Sequence, residues 1–97
     1  MIIVHDIFVC KPGNASKVAK LCKVTMADSP GVLQILTDMT GQYHRVIIVS
    51  QYKNLAAYEK SFDQHQKDTP RNRKMNKAFA GFQEMYVSGG REIYKVW

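Results

Sequence analysis

The order of elements readable in this 97-residue chain predicts an α+β fold, a four-stranded antiparallel sheet with its helices gathered on one face. Three observations predict it. Short runs rich in β-branched residues alternate with stretches of helical spacing, in the order strand, helix, strand, strand, two helical pieces, strand. Each run ends at residues that turn or cap a chain. The two middle strands are separated by so few residues that they form an antiparallel hairpin.

Met1 to Cys10 (MIIVHDIFVC) reads as the first strand and ends at the turn signal Lys11-Pro12-Gly13. Asn14 caps a helix whose Val18, Leu21, Cys22 and Thr25 recur at helical spacing. Asp28-Ser29-Pro30-Gly31 stops it, because proline cannot continue a helix and glycine relieves the exit. Val32 to Met39 and Tyr43 to Tyr52 are the hairpin strands, joined by Thr40-Gly41-Gln42. Asn54 caps a second helix with Leu55, Tyr58 and Phe62 as its inward stripe. Thr69-Pro70 restarts the helix, since proline suits the first helical position, and Met75, Phe79, Phe82 and Tyr86 form the next stripe. Gly89-Gly90 then breaks the chain before a last strand, Arg91 to Trp97. The result is the βαββαβ layout called ferredoxin-like, with its second helix split, as one domain over residues 1–97.

Composition narrows the classes. Apolar residues at 45% and charged residues at 23% describe a folded globular chain. So short a chain buries only roughly 60–65% of its unfolded surface, and pairing with a second copy would add stability. The apolar run Val46 to Val49 is far too short to span a bilayer, and no secretory leader is expected at the N-terminus. A net charge of +6 permits nucleic acid without identifying it. The one basic knot, from Lys67 through Arg71, Arg73 and Lys74 to Lys77, is expected to be a solvated helix face. The third strand, GQYHRVIIVSQY, lacks the second glycine and paired aromatics with which an RNA-recognition motif stacks bases. Cys10 and Cys22 are expected to be reduced, buried thiols of a cytoplasmic protein, and no ligand cluster at zinc spacing accompanies them.

Three segments carry a resemblance. FVCKPGNASKVAKL, Phe8 to Leu21, resembles the opening of the dimeric α/β-barrel superfamily. Gln51 to Tyr58 is similar to its join between third strand and second helix. Ser88 to Val96 resembles the closing strand of the NIPSNAP-like branch, beside which stand the antibiotic-biosynthesis-type monooxygenases. The resemblance implies a homodimer in which two four-stranded sheets face one another as a barrel. Its pocket lies between each sheet and its helices and takes a small, largely apolar or aromatic molecule. Where haem-degrading members carry Asn, Trp and His, this sequence has Asp6, Ser61 and Arg71, so an axial imidazole is missing there and no cofactor is expected.

Cofactor-free oxygenation asks for an apolar pocket, a few donors and a base. Asp6 shares a strand face with Val4 and Phe8, where an unpaired carboxylate is costly. It reads either as that base or as the partner of Arg45 or Arg91 near a sheet edge. His65, near Tyr58 and Phe62, reads either as a second proton carrier at the pocket mouth or as a solvated residue. Phe8, Tyr58 and Phe62 are the expected pocket lining. His5 faces the opposite side from Asp6 and, with His44, reads as a dimer-face or barrel-lining residue. Trp97 is expected to pack across the dimer. Two function classes stay open: a binding or structural module that uses the pocket, or the barrel surface, without chemistry, and a cofactor-free monooxygenase or isomerase. Neither nucleic acid nor membrane is an expected partner.

Overall fold

The computed structural model describes residues 1–26, 29–40 and 43–97, with the side chain of His65 outside that description. In chain order they form β1 (Ile2–Cys10), α1 (Ala15–Met26), β2 (Val32–Thr37), β3 (Arg45–Tyr52), α2 (Leu55–Gln66), α3 (Pro70–Ala78), a single 3₁₀ turn (Phe82–Glu84) and β4 (Tyr86–Lys95). The sheet order is β2-β3-β1-β4, and every neighbouring pair runs antiparallel. This is the predicted ferredoxin-like α+β fold.

Strand alternation sorts the sheet into two faces. Val4, Asp6, Phe8 and Cys10 of β1 lie on the side covered by helices, in register with Ser50, Ile48 and Val46 of β3. Ile3, His5, Ile7 and Val9 lie on the other side. On the covered side α1 lowers Val18 and Cys22 onto Cys10, Val46 and Ile48, and these buried residues form the core cluster. Asn14 starts α1 by accepting from Val18 N at 2.9 Å. Leu21 is only half-buried, and its carbonyl takes the Thr25 hydroxyl at 2.7 Å. Asn54 caps α2 by accepting from Ala57 N at 2.8 Å, and Thr69 caps α3 by accepting from Asn72 N at 3.1 Å, with Pro70 in the first turn. Asn72 is itself buried and donates to the carbonyls of Gln64 and Lys67, tying the end of α2 to the start of α3.

Four expectations are corrected. The helix of the second stripe ends at Ala78, and Gly81 turns the chain with φ of 79°. A left-handed backbone there interrupts the stripe, so Tyr86 begins a strand instead of ending a helix. That strand, β4, starts earlier than expected and runs through Gly89-Gly90. Gly89 faces Phe8, and a Cβ on it would stand 3.1 Å from the Ile7 carbonyl oxygen. The glycine is there for close approach, and the ladder to β1 outweighs its entropic cost. Leu55 is 60% exposed and Phe62 38%, so of the expected stripe of α2 only Tyr58 is fully covered. The hairpin strands are shorter than expected, and Met39, Tyr43 and His44 belong to their connection. Of that connection Gly41 and Gln42 lie outside the described residues, as does Asp28 of the expected stop of α1.

The basic knot is partly spoken for. Arg73 reaches back to Asp68, Nε to Oδ1 at 2.5 Å and Nη2 to Oδ2 at 2.8 Å, and Arg71 donates to Ser29 Oγ at 2.7 Å.

Candidate functional site

The site begins with the register of the two strands on either side of Asp6. Asp6 pairs with Ile48 on β3 and with Arg91 on β4, so the two charged residues are cross-strand neighbours on the helix-covered face. Arg91 Nε donates to Asp6 Oδ1 at 2.6 Å, and their side chains are 47% and 24% exposed. Of the two sequence readings of Asp6, the pairing with Arg91 is present; Arg45 lies on the other face of the sheet. The Asp6 carboxylate holds the Arg91 guanidinium above its ordinary pKa.

Above this pair lies α2. Its cap at Asn54 sets Tyr58 one turn in and Phe62 two turns in, both aimed at the sheet. The Arg91 guanidinium carbon sits 5.5 Å from the Tyr58 ring centroid and 5.4 Å from that of Phe62, a cation between two aromatic rings. Tyr52, at the end of β3, closes the other side with its ring 5.0 Å from Tyr58. Between these residues and the end of α1 is a cavity of about 170 Å³, whose wall also includes Met26, Ile48, Ser50 and Ser61. Tyr58 is 8% exposed, and its hydroxyl is buried without a hydrogen-bond partner among the described residues. Burial and then the nearby Asp6 charge push that phenol above its ordinary pKa, so it stays a donor. A buried donor without an acceptor is a standing cost, and here it sits in the wall of a cavity.

Phe8 does not join this group. Its ring packs edge-on against Phe82 and Tyr86, each at 5.2 Å, and it lines a second cavity of about 290 Å³ beneath α3, with Met75 and Phe79. The parity of β1 put Phe8 on the right face, but two residues along a strand is far enough to move from α2 to α3. Met26 and Ile48 line both cavities. His65 belongs to α2, and its expected role as proton carrier lies outside the described residues, which leave out its side chain. His5 is on the open face with its ring 5.2 Å from Tyr94, and His44 turns the chain into β3 with φ of 63°. Trp97 stands fully exposed in the single chain, with Lys95 Nζ 4.9 Å over its ring.

Sequence reasoning missed Tyr52, Ser50 and Met26 as wall residues. Ser50 had a signal, a hydroxyl at an inward position of an otherwise apolar strand. Met26 had none, because its role depends on where α1 ends over the sheet.

Fold and cavity together define a ferredoxin-like α+β protein with a ligand-sized hollow between sheet and helices. No family model and no curated protein matches the sequence. Solved structures do share the fold. An uncharacterized NIPSNAP domain protein from Burkholderia xenovorans superposes with a TM-score of 0.80 at 8% identity, covering 100% of this chain and 95% of its own. A NIPSNAP family protein from Agrobacterium tumefaciens gives 0.78 at 13% identity, covering 97% and 90%. A Deinococcus radiodurans protein, provisionally named an antibiotic biosynthesis monooxygenase, gives 0.60 at 17% identity, covering 100% and 93%. The chain therefore has the fold of the group that its Lys-Pro-Gly opening and closing strand resemble, and the NIPSNAP structures follow it more closely. Among the described residues no helix is long and apolar enough to cross a membrane.

Proposed function

We propose that the chain is a cytoplasmic binding protein that works as a homodimer and holds a small, largely apolar ligand in the cavity beneath α2, without nucleic acid or membrane as partner. The observation that carries the ligand reading is the unpartnered Tyr58 hydroxyl, on a residue in the wall of a cavity whose Asp6–Arg91 ion pair is already internally neutralised. Such a site favours a neutral molecule with one acceptor over an ion.

The dimer reading rests on the opposite face. Ile3, Ile7, Val9, Leu36 and Ile47 form an apolar surface with no helix over it, and Leu36 and Tyr94 are exposed. Arg45, on the same face, keeps its Nε buried without a partner among the described residues. A second copy laid sheet to sheet would cover this surface. Native mass spectrometry of protein purified without added ligand tests both parts. A mass of twice the chain carrying a small adduct is the expected result, and a clean monomer overturns the dimer.

The second reading is a cofactor-free monooxygenase with Asp6 as base. The carboxylate does line the cavity beside a phenol, and this favours the reading; the Arg91 hydrogen bond opposes it by occupying an oxygen. Asp6→Asn separates the two. A catalytic carboxylate loses turnover with ligand binding kept, whereas a purely structural one changes stability alone.

A further inference from the structure

The cavity beneath α2 and the cavity beneath α3 differ in kind. The first has Tyr58, Asp6 and Arg91 in its wall. The second is walled by Phe8, Cys22, Met75, Phe79 and Phe82, with Asn72 and the exposed Asn76 at its rim. The amide nitrogen of Asn72 already donates to the carbonyls of Gln64 and Lys67. The first has an ion pair and a phenol in its wall, and the second has rings and thioethers with amides only at the rim. Their common wall is Met26 and Ile48. Ile48 is fixed in the middle of the sheet, but Met26 is the last residue of α1 and is only half-buried. An unbranched thioether side chain is the easiest of core residues to move aside.

We infer that the two cavities are halves of one site for an amphipathic molecule, a carbonyl compound whose oxygen accepts from Tyr58 while its hydrocarbon tail passes Met26 into the space beneath α3. This rests on the pocket reading above and specifies its ligand class. The head is an acceptor because the unpartnered group that meets it is a donor. It is neutral because Asp6 and Arg91 cancel one another, and a carboxylate would meet the Asp6 charge in a half-desolvated space. The tail is aliphatic because the body of the second cavity offers rings and methyl groups, while the amide of Asn76 at its rim is exposed to solvent. Phe8, placed by the sequence with Tyr58 and Phe62 in a single pocket, then contacts the same ligand from the far side of Met26.

Methyl ketones of increasing length, from 2-butanone to 2-octanone, titrated into the full chain and followed by protein-detected NMR, test this. Affinity should rise about threefold to fourfold per methylene as the tail enters the second cavity. Tyr58→Phe should weaken every ketone by about tenfold and leave the length dependence intact. Met26→Trp should abolish the length dependence while 2-butanone still binds, and Met75→Trp, which fills the tail space from α3, should do the same if the first variant folds poorly. Octanoate should bind more weakly than 2-octanone. A flat length dependence in the wild type overturns the joined site while leaving the cavity beneath α2 as a binding site. Tighter binding of octanoate, or ketone affinity indifferent to Tyr58→Phe, overturns the assignment of the head. No binding of any probe, 2-butanone included, overturns the pocket reading itself.

Discussion

On its helix-covered face β1 presents Val4, Asp6, Phe8 and Cys10, whereas on the open face it presents Ile3, His5, Ile7 and Val9. The covered face holds the core cluster, with the Asp6–Arg91 pair and Tyr58 beside a cavity; the uncovered face mixes Ile3, Ile7, Val9, Ile47 and Leu36 with His5, Arg45 and Glu92. An antiparallel sheet stable by itself would carry polar residues over most of its open face. The mixture teaches that the two faces do different work. The covered face has room to spare beneath its helices, so charge can be tolerated beside a cavity. The open face has no cover of its own and gains most from a partner that supplies one.

A charge on the open face is the harshest way to break that comparison. Ile7 sits at the centre of the sheet, opposite Ile47 on one side and Gly90 on the other. Ile7→Glu should convert the proposed dimer to monomer, because an uncompensated carboxylate buried between two sheets costs about 3–5 kcal/mol, which is a loss of more than about 100-fold in association. Sedimentation or light scattering reads it directly. An unchanged dimer would place the interface elsewhere.

The covered face has its own test, by pH. Burial pushes the Cys22 thiol from 9.0 up to about 11, and the neighbouring Cys10 adds to the shift. A raised pKa means that the unfolded chain ionises first. The stability is therefore whole below pH 9.0 and is lost as pH rises toward about 11. Its size is roughly 2–3 kcal/mol. Cys10, Tyr58 and Tyr94 are shifted in the same direction, so the wild-type curve contains all four. Urea midpoints of wild type and Cys22→Val, compared between about pH 8 and about pH 11, isolate this thiol: the variant should fall less steeply. Equal slopes would mean that Cys22 is not the group responsible.

How legible the molecule was in its sequence differs between elements for physical reasons. Caps and hairpin order are local, and Asn54, Thr69 and Pro70 stand where their chemistry predicts. The face of Asp6 was legible from parity, and its partner was one of two arginines named on charge alone. The boundary of β4 was not legible, since two adjacent glycines read as a turn unless the strand they oppose is known. Nor was the division of the pocket. Phe8 and Tyr58 face the same layer of the fold but line different cavities, Tyr58 from α2 and Phe8 from the strand beneath α3, a matter of where α2 ends and α3 begins.

The same two glycines give the finest test of the faces. Gly89 lies on the covered side, where a Cβ would stand 3.1 Å from the Ile7 carbonyl oxygen and 3.7 Å from Phe8 Cδ1. That oxygen belongs to the backbone of a central strand and has little freedom to yield, so Gly89→Ala should destabilise by about 1 kcal/mol net of the entropy it recovers. Gly90 lies on the open side, where a Cβ meets nothing within 4 Å in the single chain. With φ outside the left-handed range, Gly90→Ala should stabilise the folded chain by about 0.5–1 kcal/mol. Urea unfolding at low and high protein concentration distinguishes the contributions. At low concentration the two substitutions should move the midpoint in opposite directions. At high concentration the gain from Gly90→Ala should shrink, because in the proposed dimer a second sheet packed over Ile7 and Gly90 leaves less room for the added methyl group. A gain that stays the same at both concentrations would mean that nothing approaches Gly90, and the contact between sheets would have to lie away from the centre of β1.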